Sequence, residues 1–149
     1  MMNPINQDSE GIKVDARHRT MLIVWFMILM SVGFMFFLTL VIQRPAAGGS
    51  DNTLLFMFAA VSIFPFLLSF VIKRKLLAQS VREQKIALVL SAMIVAVALC
   101  ESVSLFGMMV YFTTPTHYYY VFFIVSVIGI LLHMPRRDQL LAASYKTPI

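Results

Sequence analysis

Four stretches of this chain are almost wholly apolar: 20–42, 53–72, 86–112 and 118–134. A helix needs about 20 apolar residues to cross a hydrocarbon core of about 30 Å. The first three stretches meet that length. The fourth is shorter but dense in Phe, Val, Ile and Leu. All four are continuous rather than alternating, which argues against the strands of a membrane barrel. The 149 residues are 60% hydrophobic and 13% charged, where a water-soluble domain is about a quarter charged. A chain of this size has too little interior to hide so much apolar surface from water. The expected fold is therefore all-α and polytopic, a bundle of four transmembrane helices.

Charge sets the expected orientation. Of the 12 Lys and Arg residues, three precede Thr20, five lie in 73–85 and three follow Met134. Arg44 alone falls between the first two runs, and 113–117 has none. By the positive-inside bias, both termini and the middle loop are cytoplasmic and the host is the inner, plasma membrane. The formal charge of +5 needs no nucleic acid to explain it, because cations that flank membrane spans meet anionic headgroups. The first run is too long for a signal-peptide core and reads as a retained helix. The single cysteine, Cys100, excludes an internal disulfide and a multi-cysteine metal centre.

Residues 1–19 are polar and mixed in charge. They are expected to form a flexible cytoplasmic tail ending in a basic anchor. Residues 44–52 (RPAAGGSDN) carry turn chemistry. The other outer loop, 113–117 (TTPTH), is so short that the third and fourth helices must be antiparallel neighbours. Residues 135–149 form a second cytoplasmic tail, in which 136–144 can make a short interfacial helix. An internal repeat is also visible, because 58–80 aligns without a gap on 122–144. Phe58, Val61, Ser62, Leu67, Leu68, Leu76, Leu77, Ala78 and Ser80 recur as Phe122, Val125, Ser126, Leu131, Leu132, Leu140, Leu141, Ala142 and Ser144. The repeat implies two like-oriented hairpins related by an axis along the membrane normal. Pro65 and Gly129 then fall in equivalent places, and both weaken a helix: Pro65 frees the Val61 carbonyl and Gly129 lacks a side chain to pack.

Glu101 stands in the middle of the third run. An acid at a helix centre costs on the order of 3 kcal/mol, which the apolar residues around it offset. At about 1.5 Å per residue, Glu101 lies about 16 Å from the outer end of its helix. Ser31, Pro65 and Gly129 fall at about the same depth, roughly 16 to 18 Å. The carboxyl is expected to face the bundle interior, mainly as the neutral acid, and to take donors from facing helices. Ser31, Ser62, Ser104 and Ser126 are the candidate supporting hydroxyls. On the same helix Ala92, Ala96, Cys100 and Ser104 recur every fourth residue. Such a ridge of small side chains lets another helix approach closely.

The segment Glu101–Gly107 (ESVSLFG) resembles the ion-binding helix of the proteolipid c subunit of rotary ATP synthases. That family often places an aromatic five residues after the glutamate and a glycine six after it, here Phe106 and Gly107. Its cytoplasmic loop carries Arg and Gln upstream, similar to Arg82-Glu83-Gln84 here. The resemblance covers about 82–115. It implies a proton- or ion-binding role for Glu101 and for no other residue.

No hydrolase triad, phosphate loop or nucleic-acid motif occurs, so no enzyme is expected. No cofactor or metal is called for either. His117 and His133 are sixteen residues apart, about 24 Å on one helix, too far to clamp one iron, and His133 at the inner end is expected to be solvated at the interface. The tyrosines at 118–120 suit an interfacial belt. The composition and the lone acid thus point to a small non-enzymatic membrane protein, an accessory or structural subunit of a larger complex. A c-subunit-like coupling component is the alternative. The expected partners are the lipid bilayer and other membrane subunits or further copies of the chain.

Overall fold

The computed structural model describes residues 4–43 and 53–144, with side chains placed for 14–43 and 53–143. Among these residues the chain is all-helical: α1 is Pro4–Val41, α2 Thr53–Glu83, α3 Ile86–Thr113, α4 Tyr119–Leu132 and α5 Arg137–Ser144. Three segments are long and apolar enough to cross a membrane: Val14–Val41 of α1, α2 and α3. The 14 residues of α4 measure about 21 Å and fall short alone. Joined to α5 across a 48° bend, α4 meets the same criterion as one broken element. The turn sequence at 44–52 and the end of the chain from 145 lie outside the described residues.

Local chemistry explains where the helices stop. α2 ends because Gln84 turns left-handed (φ 53°) and the Lys85 amide returns to the Ser80 carbonyl at 3.1 Å, a helix-closing pattern. α2 runs through Pro65 without a break, so the expected weakening does not interrupt it. The corresponding segment does break. Pro135 lies between α4 and α5, where a missing amide and a fixed φ stop a helix. The end of α4 is closed by the His133 amide on the Gly129 and Ile130 carbonyls at 3.2 and 3.1 Å. The Trp25 indole N–H of α1 also donates to Ile130 O at 2.8 Å, supplying a donor that the helix end lacks.

α3 is the hub of the bundle. It packs on α2, α4, α1 and α5, whereas, among the described residues, α1 and α2 make no close approach to each other. α3 and α4 therefore form the short diagonal of a rhombus, with α1 and α2 at its far corners. The first pair of helices is joined in sequence but separated in space. The cause is the side-chain inventory of α3. Its small ridge takes α4 and α2 at Cys100 and Met35 of α1 at Ser104, and Glu101 takes Ser31 of α1, so α1 and α2 pack on different sides of α3. The expected contact between α3 and α4 is present.

The polar segment before Thr20 is also not a separate tail. α1 is helical from Pro4. Val14 is buried in one cluster with Met21, Val89, Met93, Leu140 and Ala143, and Asp15 accepts from Arg137 at 2.9 Å. The reason is α5, whose Leu140 and Ala143 give the lower turns of α1 an apolar surface to cover. Both ends of that ion pair are more than half exposed, so it adds little beside the packing.

Candidate functional site on helix α3

The ridge predicted on α3 is fully interior: Ala92, Ala96, Cys100 and Ser104 are each 0% exposed. Its partner surface comes from α4 and α2, with Met35 of α1 against Ser104 at 3.7 Å. An added Cβ on Gly129 would sit 2.8 Å from Cys100 Sγ and 2.9 Å from Phe66. Ser126 Oγ donates to the Cys100 carbonyl at 2.8 Å. Gly129 is thus a close-approach position rather than a weak point. It lies level with residues adjacent to both Glu101 and Pro65, as the depth count places it.

Around the rest of α3, Ser91, Val95, Ala98, Leu105 and Met109 are exposed. They recur at spacings of three, four or seven residues and so form one outward stripe. Glu101 is partly buried and lies at the margin of this stripe, on the side toward α1. Ser31 Oγ of α1 donates to Glu101 Oε1 at 2.7 Å. The interior placement expected for Glu101 is therefore met only halfway: its Oε1 is bonded by Ser31 of α1, and the residue stays partly exposed beside Ala98 and Leu105 of the stripe.

The remaining serines do not reach the carboxyl. Ser62 Oγ donates to Ala59 O at 2.8 Å and Ser104 Oγ to the Glu101 backbone carbonyl at 2.7 Å. Ser126 is bound to Cys100 O. In a medium without water, a hydroxyl does best by returning to a helix carbonyl close by. Ser69, Ser80 and Ser102 do the same, at 2.6, 2.7 and 2.7 Å. Ser31 is the exception, because α3 presents it with a stronger acceptor. A charged or acidic partner shortens and strengthens the bond.

Phe106 and Gly107, the other residues of the c-like segment, both serve packing. The Phe106 ring lies 6.2 Å from that of Phe58 on α2. Gly107 is pressed against α4, where an added Cβ would come 2.8 Å from Phe122 Cβ and 3.2 Å from the Tyr119 carbonyl. Among the described residues, no group of three or more His, Cys, Asp and Glu gathers to hold a metal.

Two features escaped the sequence reading. Ser69 is 0% exposed, and the Cys100 thiol faces its hydroxyl at 3.6 Å. His133, expected to be solvated at the interface, is 1% exposed. Its ring packs on Phe70 with centroids 4.6 Å apart, and its Nδ1 donates to Gly129 O at 2.7 Å. The offset of 64 aligns Ser69 with His133, the one signal that pairs them.

Comparison with known protein families, curated proteins and solved structures finds no match to this chain.

Proposed function

We propose that this chain is a non-enzymatic integral membrane subunit that joins a larger assembly through the outward stripe of α3. The observation that carries this reading is the half-covered Glu101 carboxyl. Ser31 supplies a donor on the α1 side, and the partly exposed residue borders a lane of exposed α3 residues that includes the small Ala98 and Ser91. In lipid, an acid left without partners costs several kcal/mol. A membrane helix from another subunit can enter the lane closely over its small residues and complete the carboxyl's hydrogen bonds. The chain sits in the inner membrane with four spans, α4 and α5 together supplying the fourth, and with both termini cytoplasmic. The 64-residue offset reflects a duplication: Ser62 and Ser126 are both buried, and Leu77 and Leu141 join the same core.

The coupling reading keeps the same residue and gives it a proton to carry. In its favour, a carboxyl held by one serine and open on its other edge can exchange a proton. Against a c-type ring stands α2, which has no glycine ladder and instead packs through Phe58, Phe66 and Phe70.

Two substitutions separate the readings. Glu101→Gln keeps shape and hydrogen bonding but cannot titrate, and Glu101→Leu removes both. Purified in mild detergent, the Gln variant is expected to retain its partner subunits while the Leu variant loses at least about nine-tenths of them, a cost of about 1.4 kcal/mol. Coupling instead predicts that the Gln variant assembles normally and abolishes proton flux in vesicles. Unchanged partner recovery in both variants contradicts the subunit proposal.

A further inference from the structure

At the basic end of the bundle α1 and α3 converge on α5, where Met21 and Leu140 are buried in one cluster. The first turn of α3 presents only the methyl group of Ala87 beside that contact. A crevice of about 280 Å³ is left between the three helices. Its walls include Arg17, Thr20 and Met21 of α1, Ala87 and Leu90 of α3, and Leu140 of α5. The larger recess between α1 and α4 at Gly33, about 460 Å³, has no charged residue among those described in its lining. The smaller crevice is therefore distinguished by a cation at the edge of an apolar hollow.

That cation has no acid to meet. Among the described residues the ion pairs are Lys85 with Glu83 and Arg137 with Asp15, and Arg17 is in neither. Thr20 turns its hydroxyl back to Ala16 O at 3.1 Å. Thr20 also begins the first apolar run, and Arg17 stands one turn before it on the same face. The mouth of the crevice thus lies at the level of the lipid headgroups, and Met21 and Leu90 carry its apolar wall onward toward the hydrocarbon. An apolar hollow of this kind gives water no partners, whereas a hydrocarbon tail enters it without losing hydrogen bonds. A guanidinium at the mouth suits a phosphate oxygen. The two demands, an anion at the mouth and a tail behind it, are met together by one kind of molecule.

We infer that the crevice between α1, α3 and α5 holds one anionic phospholipid, with its phosphate on Arg17 and an acyl chain over Ala87 and Leu90. Basic sites at the ends of membrane helices bind such headgroups, and here the hollow beside the charge gives the lipid a fixed seat. The proposal rests on the chain spanning a bilayer and not on what docks along α3. Its test uses the purified chain, so its failure leaves partner recovery with the Glu101 variants untouched.

The full chain is placed in mixed phosphatidylcholine and phosphatidylglycerol bilayers, and the lipids retained after detergent extraction are counted. The wild type is expected to retain phosphatidylglycerol over phosphatidylcholine by about fivefold, which is about 1 kcal/mol for one cation. Arg17→Gln is expected to lose that preference and Arg17→Lys to keep it. Arg74→Gln removes an exposed cation of α2 and is expected to keep it too. Ala87→Phe fills the hollow from an exposed position and is expected to retain neither lipid while unfolding at the wild-type temperature. Ala87→Leu gives the same reading should the larger ring upset folding. Glycerol phosphate, a head without tails, is expected not to displace the retained lipid. Equal preference in wild type and Arg17→Gln overturns the proposal. Full retention by both Ala87 variants, or displacement by glycerol phosphate, overturns it as well, because the hollow would then hold no tail.

Discussion

Gly107→Val is expected to lower the stability of the purified chain by about 3 kcal/mol or more, at the upper end of the cost of overpacking. The contacts waiting for the new side chain are stiff. An added Cβ meets Phe122 Cβ at 2.8 Å and the Tyr119 carbonyl oxygen at 3.2 Å. Neither is the far end of a flexible side chain, so α3 and α4 must part. Gly129→Val is expected to cost less, on the order of 1 to 3 kcal/mol. Its nearest contacts, Cys100 Sγ and the Phe66 ring, can rotate away. Gly33 has nothing within 4 Å of an added Cβ, so Gly33→Ala is expected to be neutral or to stabilise by up to about 1 kcal/mol through helix propensity. Thermal unfolding in one detergent orders the three variants. A Gly107→Val chain as stable as wild type means that α3 and α4 are not in contact there.

The second large effect concerns Ser31. Ser31→Ala removes the α1 donor from Glu101 and is expected to cost about 1 to 3 kcal/mol, because an acid is left short of a partner in an apolar setting. In the Glu101→Leu background the same change is expected to be nearly neutral. A double-mutant cycle read by unfolding should thus give a coupling of about 1 to 3 kcal/mol between the positions. Additive effects would show that the 2.7 Å bond contributes nothing. The cycle reports on the chain alone, while partner recovery with Glu101→Gln reports on the assembly, so the two can fail independently.

Much of this arrangement was legible because lipid simplifies the code. Backbone groups must be paired within each helix, so continuous apolar runs convert directly into helices. The every-fourth-residue ridge from Ala92 to Ser104 became a buried face for the same reason. Depth counting placed Ser31 opposite Glu101 because rise per residue is nearly constant. What was not legible depends on rotation and on neighbours. Counting residues gives no azimuth, so it could not tell that Glu101 lies at the margin of the stripe rather than inside. Nor could it tell that Ser62, Ser104 and Ser126 turn to carbonyls instead. The failure of α1 and α2 to meet arises from how three helices divide the surface of α3, a property no single segment carries. The polar start of the chain concealed its helix because the apolar surface that stabilises it comes from Leu140 and Ala143, over a hundred residues away. His133 misled for a similar reason: a histidine beside two arginines suggests water, and only Phe70 and Gly129 make it a buried group.

The central claim is that α3 lies within the bilayer with Glu101 at mid-depth beside a stripe that faces lipid when the chain is free of its partner. A nitroxide scan of single cysteines along α3, in a Cys100→Ala background, tests it most directly. Oxygen collisions are predicted to peak at Val95, Ala98 and Leu105 and to fall at Ala92, Ala96 and Val103, with a water-soluble nickel chelate excluded from Ala98. Oxygen access without that helical period, or a chelate that reaches Ala98 as freely as it reaches Arg82, would contradict the account.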